Sequence, residues 1–330
     1  MPKIKSLKNR IFNISSLDTF NEIALEIFHF QYKNNVVYKQ FVDFLNTKIS
    51  EIQYFSQIPF LPVEFFKNHK VIFTDCNSEI VFSSSGTTGM QTSKHYVSDV
   101  SLYESAFLRA FELFFGSPKD IVILALLPSY LERGGSSLVY MANKLISESD
   151  RTESGFYLDE YSKLHALLVT LKAQKQKVIL LGVTYALLDL AEQYPIDFPE
   201  LVLMETGGMK GKRKELIRDE LHNKLKNSFG VGKIYSEYGM TELLSQAYST
   251  GNGIFSTPPW MKILIRDVND PLALMSEGKA GGINIIDLAN VYSCSFIATQ
   301  DLGKVGTNDT FEILGRFDNS DVRGCNLMVE

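Results

Sequence analysis

The chain has 330 residues, 45% of them apolar and 22% charged, with 33 basic against 38 acidic side chains for a net charge of −5. These values exclude a mainly disordered chain, a collagen-like repeat and a coiled coil, and a net negative surface does not favour nucleic acid or anionic lipid as the main partner. No membrane span or secretory signal is expected, since the apolar run from Ile121 to Leu131 is short and no apolar stretch follows Lys3, Lys5, Lys8 and Arg10.

In chain order, Thr19-x-x-Glu22 predicts a capping box, and Phe20, Ile23, Ala24, Ile27 and Phe28 recur at helical spacing, the stripe continuing through Val37, Phe41, Phe44 and Leu45. Ile58-Pro-Phe-Leu-Pro62 reads as irregular. Residues 1–70 are thus expected to be a helical N-terminal extension packed on the core, with a contribution to a substrate tunnel as the alternative. From residue 71 short apolar runs alternate with helix-compatible stretches. Val71-Ile-Phe73, Ile80-Val-Phe82, Ile121 to Leu127, Val178 to Leu181 and Leu201 to Met204 read as strands, and Tyr185 to Gln193 as a helix. That alternation predicts an α/β core over residues 71–250, with a mostly parallel sheet covered on both faces. Ligands of such sheets sit beyond the carboxyl ends of the strands, so the loops beginning at Ser83, Pro128, Gly182, Gly207 and Glu237 are candidates together. Residues 251–330 read as a β-rich subdomain ending in a short tail, with strands around Ile263 to Ile265, Gly282 to Ile286 and Ser295 to Ala298; the three regions form one integrated unit.

The strongest local signal is Phe82-Ser-Ser-Ser-Gly-Thr-Thr-Gly-Met90, where glycines permit close backbone approach and successive N–H groups and hydroxyls can cradle an anion. It is not a Walker A loop, since no Gly-Lys-Ser/Thr closes it. Taken alone it is equally a flexible turn; the strand in front of it favours phosphate. Ser84-Ser-Gly-Thr-Thr-Gly89 resembles the phosphate loop of the adenylate-forming superfamily of acyl-CoA synthetases, peptide-synthetase adenylation domains and luciferases. Tyr238-Gly-Met-Thr-Glu242, Thr299-Gln-Asp-Leu-Gly303 and Gly315-Arg-Phe-Asp318 are similar to further motifs of that superfamily and follow in the same order. The resemblance implies that Ser84, Ser85, Gly86, Thr87, Thr88 and Gly89 hold the triphosphate of ATP, and that Thr241 lies at the α-phosphate. It implies that Glu242 holds Mg²⁺, a hard cation suited to carboxylate oxygen, and that Tyr238 stacks on adenine opposite Gly207 and Gly208. Asp301 would accept from the ribose hydroxyls, with Arg316 near ribose or phosphate. The implied fold is the N-terminal-domain fold of adenylate-forming enzymes, mostly parallel sheets covered by helices plus a small β subdomain.

The departures are informative. Only Asn319 to Glu330 follow the last motif, so the mobile C-terminal lid domain with its lysine is expected to be absent, and Lys94 is a displaced analogue of the usual phosphate-loop lysine. Both departures fit a narrower family. Ile58-Pro-Phe-Leu-Pro62 with Phe65 to Lys67, Leu127 to Leu138, and Ser320-Asp-Val-Arg-Gly-Cys-Asn-Leu327 resemble the LuxE-type acyl-protein synthetases over essentially the whole chain. That resemblance implies activation of a fatty acid as its adenylate, then transfer to a cysteine near the C-terminus, here Cys325. Arg323 nearby favours the nucleophilic thiolate; a buried apolar cysteine is the plainer alternative. Cys76 and Cys294 read as structural, and without C-x-x-C spacing the three cysteines predict neither a disulfide framework nor a zinc site, which fits a reducing cytoplasm. Gly134 to Ser137 either admits an acyl chain or starts a helix. The expected activity is ATP- and Mg²⁺-dependent ligation of a fatty or other carboxylic acid, passing the acyl group to a partner such as an acyl-CoA reductase-like enzyme or a carrier. The alternatives are an aryl or short-chain acid ligase loading CoA or a carrier protein, and a non-catalytic adenine-nucleotide-binding protein.

Overall fold

The computed structural model describes residues 2–84, 91–127, 135–207 and 216–317, with side chains from Leu7 onward. The N-terminal helices are α1 (Pro2–Ile11), α2 (Leu17–Asn34) and α3 (Val36–Phe44). The predicted apolar spacing buries Phe20, Ile23, Ala24, Ile27 and Phe28 along one face of α2, each phenylalanine or isoleucine contributing about 1.5–3 kcal/mol of transfer free energy. The helix begins earlier than the motif suggested. Ser16 is the N-cap, its Oγ accepting from the Thr19 N–H at 3.1 Å, so Thr19 lies inside the first turn, and Glu22 pairs with Arg10 instead of closing a box.

Two local expectations are corrected in the next segment. Leu61–Pro62 is not irregular but forms a short strand β1, parallel to a strand deep in the chain, with Leu61 opposite Ile297 and Pro62 opposite Ala298. A proline is tolerated there because β1 needs no N–H from it: the next residue, Val63, donates to the Ala298 carbonyl at 2.9 Å. Conversely, Val71 to Phe73 are buried but form no strand. Their backbone serves a loop instead, Phe73 donating to the Tyr292 carbonyl and Val71 accepting from the Ser293 hydroxyl.

Helix α4 (Phe65–Asn68) precedes an isolated antiparallel hairpin, β2 (Ile80–Ser83) and β3 (Lys94–Val97), and then α5 (Val100–Phe115). The α/β half follows as β4 (Val122–Leu126), α6 (Ser137–Glu148), β5 (Gly155–Phe156), α7 (Tyr161–Ala173), β6 (Val178–Val183), α8 (Thr184–Gln193), β7 (Val202–Thr206), α9 (Arg218–Phe229) and β8 (Tyr235–Tyr238). Every residue of β4 and β6 is buried, as strands covered on both faces must be. These strands are parallel in the order β5-β4-β6-β7-β8. The order reverses between β4 and β6, the switch point beyond which an open sheet binds its ligands.

The sheet does not stop at β8. Strands β9 (Ala247–Ser249), β10 (Ile254–Ser256), β11 (Met261–Arg266), β12 (Ala280–Asp287), β13 (Phe296–Val305) and β14 (Thr310–Arg316) run antiparallel and extend it in the order β8-β9-β10-β14-β13-β12-β11. The strands expected at residues 263–265, 282–286 and 295–298 lie within β11, β12 and β13, though Ser295 precedes the last. Among the described residues no helix is long and apolar enough to cross a membrane.

The helical extension is tied to this sheet by buried polar groups. The Gln31 amide donates to the carbonyls of Asn290 and Val291 at 3.0 and 3.1 Å and to Ser295 Oγ at 3.1 Å, and its oxygen accepts from the Ser295 N–H at 3.0 Å. Replacing Gln31 with alanine leaves those buried groups without a partner and is expected to cost about 2–4 kcal/mol, read as a lower denaturant midpoint with an unchanged slope.

Candidate active site

The hairpin β2–β3 closes the base of the hydroxyl-rich loop. Ser83 faces Lys94 in register; beyond them the Ser84 N–H donates to the Ser93 carbonyl at 3.0 Å and the Ser93 N–H donates to Ser84 Oγ at 2.9 Å. Ser84 is the described member of the candidate phosphate loop; Ser85, Gly86, Thr87, Thr88 and Gly89 lie outside the described residues. The chain after β4 returns to the same place, since Gly135 accepts from the Ser83 N–H at 2.8 Å. Gly135 has φ +89°, which strains any residue with a side chain, and an added Cβ would stand a tight 3.3 Å from the Val81 carbonyl. Ser136 caps α6 through the Val139 N–H, so of the two readings of Gly134 to Ser137 the described part is a helix start.

Tyr238-Gly-Met-Thr-Glu242 turns out of β8 directly opposite. Glu242 is 5% exposed; burial pushes its carboxyl above the ordinary range, against the influence of the neighbouring Ser93 hydroxyl and the Arg316 charge. The Tyr238 hydroxyl donates to Asp301 Oδ2 at 2.8 Å, and Arg316 Nε approaches Asp301 Oδ1 at 3.1 Å across the β13–β14 pair. Ser84, Tyr238, Thr241, Glu242, Asp301 and Arg316 therefore converge on one region. Gly207 follows β7 with φ +66°, one step beyond the Thr206–Glu237 pair and hence level with Tyr238. Gly208 and Cys325 lie outside the described residues. Cys294 is buried, its thiol pushed up to about 12 by burial, which makes it no nucleophile. Glycine at 239 has a local reason, since a Cβ there would stand 2.5 Å from Glu237 Oε1.

Several residues that sequence reasoning passed over hold this arrangement. His95 is buried on β3, with Nδ1 2.8 Å from the Thr241 carbonyl and Nε2 3.0 Å from Asn290 Oδ1. The Asn290 amide nitrogen donates to the carbonyls of Glu242 and Cys294 at 2.8 and 2.9 Å, which fixes which of its atoms faces the imidazole. Two facing oxygens favour the charged ring, but burial is the larger effect and lowers the His95 pKa to about 4. At neutral pH the ring keeps one proton, so only one of the two contacts is a true hydrogen bond. Gln300 stands where the resembling motif has glycine; its side chain donates to Glu64, and its carbonyl accepts from the Phe317 N–H at 2.8 Å. No periodicity or motif marks His95 or Asn290, because their partners are distant in sequence; Gln300 lies within the Thr299-to-Gly303 motif, but the motif does not disclose its partners.

Glu242 also suits magnesium. Among the described residues no group of three or more His, Cys, Asp or Glu side chains forms a cage. Mg²⁺ characteristically takes one or two carboxylates and completes its shell with substrate phosphates and water. A desolvated carboxylate beside the phosphate-loop base, with a hydroxyl as its neighbour, meets that requirement.

The sequence model of the family described as "Acyl-protein synthetase, LuxE" matches residues 13–330. A search of curated proteins returns no match. Among solved structures, ATP-bound MatB from Rhodopseudomonas palustris is similar at 17% identity and a TM-score of 0.55, covering 72% of this chain and 47% of its own, so the chain spans about half of that protein. A 2-hydroxyisobutyryl-CoA ligase in the postadenylation state is similar at 13% identity and a TM-score of 0.65, covering 94% of this chain and 70% of its own. At such identities the likeness is one of fold, that of the N-terminal domain of adenylate-forming enzymes.

Glu237 gives the site a testable electrostatic signature. Its Oε2 accepts from Thr206 Oγ1 at 2.5 Å, yet burial raises its pKa from 4.5 to about 7. Between those values the folded chain holds a proton that the unfolded chain has lost, so the associated stability is present below pH 4.5 and lost as pH rises through about 7. His95, its pKa depressed from 6.5 to about 4, works in the opposite sense: its contribution is present above 6.5 and lost as pH falls. Glu237→Gln keeps the acceptor for Thr206 and removes only the first effect. Its stability relative to wild type is expected to rise by roughly 2–3 kcal/mol across that acid-to-neutral window, measured by denaturant unfolding at successive pH values.

Proposed function

Since the chain belongs to the LuxE acyl-protein synthetase family, we propose that it activates a fatty acid with ATP and passes the acyl group to a thiol, that of Cys325. The observation that carries the reading is that the hairpin bearing the base of the hydroxyl-rich loop is bound to the turn bearing Glu242: Ser93 donates to Ser84 Oγ, and two residues on, His95 Nδ1 lies 2.8 Å from the Thr241 carbonyl. In the first half-reaction a carboxylate oxygen of the acid attacks the α-phosphorus, the bond to the bridging oxygen breaks, and pyrophosphate leaves. In the second, the Cys325 thiolate attacks the acyl carbonyl, a thioester forms, and AMP departs. The thioester keeps the acyl group activated for a partner such as an acyl-CoA reductase-like enzyme.

Each residue has a physical role in this scheme. Ser84 with Ser85 to Gly89 donates to the triphosphate, and Thr241 lies at the α-phosphate. Tyr238 and the Gly207–Gly208 segment flank adenine; Gly207 follows β7 level with Tyr238 on β8. Asp301 accepts from the ribose hydroxyls while the Tyr238 hydroxyl and Arg316 hold its carboxylate in place. Magnesium bound at Glu242 would neutralise charge developing on the leaving pyrophosphate. The absence of metal-like or disulfide-like cysteine spacing accords with a reducing, cytoplasmic setting, where a free thiol persists.

One observation favours a second reading. Thr206 and Glu237 place a bonded hydroxyl and carboxyl near the ends of β7 and β8; an acid pocket reaching them would take a short acid more readily than a long alkyl chain. A panel of acids of increasing length, with and without CoA, separates the two readings by which acid supports turnover.

Acid-dependent exchange of labelled pyrophosphate into ATP tests the first half-reaction; exchange with no acid in the panel rejects it. Glu242→Gln is expected to lower that exchange by about a hundredfold. For the second half, Cys325→Ser is expected to continue exchange while losing acyl label that hydroxylamine removes. Undiminished labelling of the variant would assign the thioester elsewhere.

A further inference from the structure

The β2–β3 hairpin presents two unlike sides. Ser93 and His95 point into the buried interior toward Glu242 and Asn290, and alternation sends Thr92, Lys94 and Tyr96 the other way. On that other side an open cleft of about 390 Å³ lies between β3 and the end of α4, lined by Lys67, His69, Lys70, Gln91, Thr92 and Lys94. The two walls are joined, since the Gln91 amide donates to the Lys67 carbonyl at 2.7 Å, and the Lys70 ammonium is held 5.2 Å from the centre of the Tyr96 ring. No aspartate or glutamate lines the cleft, and among the described residues none of its three lysines has a carboxylate partner. This is unexpected for a chain of net charge −5. Unpaired lysines occur elsewhere on the described surface too, Lys33 and Lys119 among them, but here three share one concave space with neutral donors beside them.

We propose that this cleft binds a diphosphate group. Three ammonium groups suit a diphosphate, whether free, with about three to four negative charges, or esterified at both ends, with about two, and Gln91 and Thr92 add neutral donors for oxygens that the lysines leave free. The volume suits a small phosphate ester better than a nucleic acid strand or a protein segment. The site is separate from the nucleotide position inferred at Ser84 and Glu242, because β3 stands between them, and it requires no adenylation chemistry to exist. Two sources share the chemistry: pyrophosphate released close by, and the diphosphate of an acyl acceptor of the coenzyme A type.

Isothermal titration of the full chain with magnesium-free pyrophosphate and, separately, with coenzyme A tests the assignment. At least one is expected to bind, and Lys67→Gln with Lys70→Gln is expected to weaken it about tenfold. The same charge change made elsewhere, Lys33→Gln with Lys119→Gln, should leave affinity within about twofold. These lysines lie at the surface, so the variants are expected to fold. Whichever ligand loses affinity identifies the source. Binding of neither ligand, an affinity unmoved by the cleft substitutions, or equal weakening by the control pair would overturn the proposal.

Discussion

The arrangement around the candidate site depends on one buried side chain amide. Asn290 spends both of its N–H groups on carbonyls, those of Glu242 and Cys294, and turns its oxygen to His95. It thereby joins three segments distant in sequence: the turn after β8, the connection between β12 and β13, and the hairpin that carries the hydroxyl-rich loop. In a water-free interior an amide with all its partners present specifies a geometry closely, because every alternative leaves a polar group unpaired. Gln31 and Asn35 extend the same logic outward by holding the 290–295 connection from the N-terminal helices. The helical extension is thus part of the support of the site, two contacts removed from Glu242.

The charges at the site are tuned by burial more than by pairing. Glu242, Glu237 and Asp287 all have carboxyl groups pushed upward by desolvation, and the hydrogen bonds they accept only moderate it. Asp287 receives the N–H groups of Leu244 and Ser245 at 2.8 and 3.0 Å and the Ser245 hydroxyl at 2.6 Å. The segment following Glu242 is therefore anchored on its far side by a second carboxylate, while Glu242 itself is left with few partners. A carboxylate so placed gains more from an arriving cation than one already neutralised, which is the electrostatic condition expected of a metal-binding group.

Much of this was legible from sequence, for identifiable reasons. Strands β4 and β6 are buried on both faces and so appear as unbroken apolar runs, and the turn residues after them mark where the sheet opens. The glycine- and hydroxyl-rich loop and the Tyr-Gly-Met-Thr-Glu stretch carry compositional constraints, such as the space that Gly239 leaves for Glu237. What was not legible acts over long sequence separations through backbone atoms. His95 meets Thr241 from 146 positions away and Asn290 from 195, and a backbone carbonyl is available at every residue, so nothing in the partner's identity announces the pairing. Val71 to Phe73 misled for a related reason. Their side chains are as apolar as a strand's, but their carbonyl and N–H groups are taken by Ser293 and Tyr292. The Leu61–Pro62 strand was hidden by its prolines, although an edge position asks no hydrogen bond of them.

The reversal of strand direction at β8 and β9 has an architectural consequence. Because the antiparallel half folds back beside the parallel half, Asp301 reaches Tyr238 across 63 positions of chain while the ribbon from Asp267 to Lys279 hangs at the far border of the sheet. That ribbon joins β11 to β12; Arg266 and Ile283 of those strands bond to Thr299, whereas the ribbon's own backbone bonds go to Ile265, to Val305 and within itself. Growth or shrinkage there would be absorbed at the periphery, so the fold offers a place where related chains can gain or shed whole appendages without retuning the chemistry at the centre.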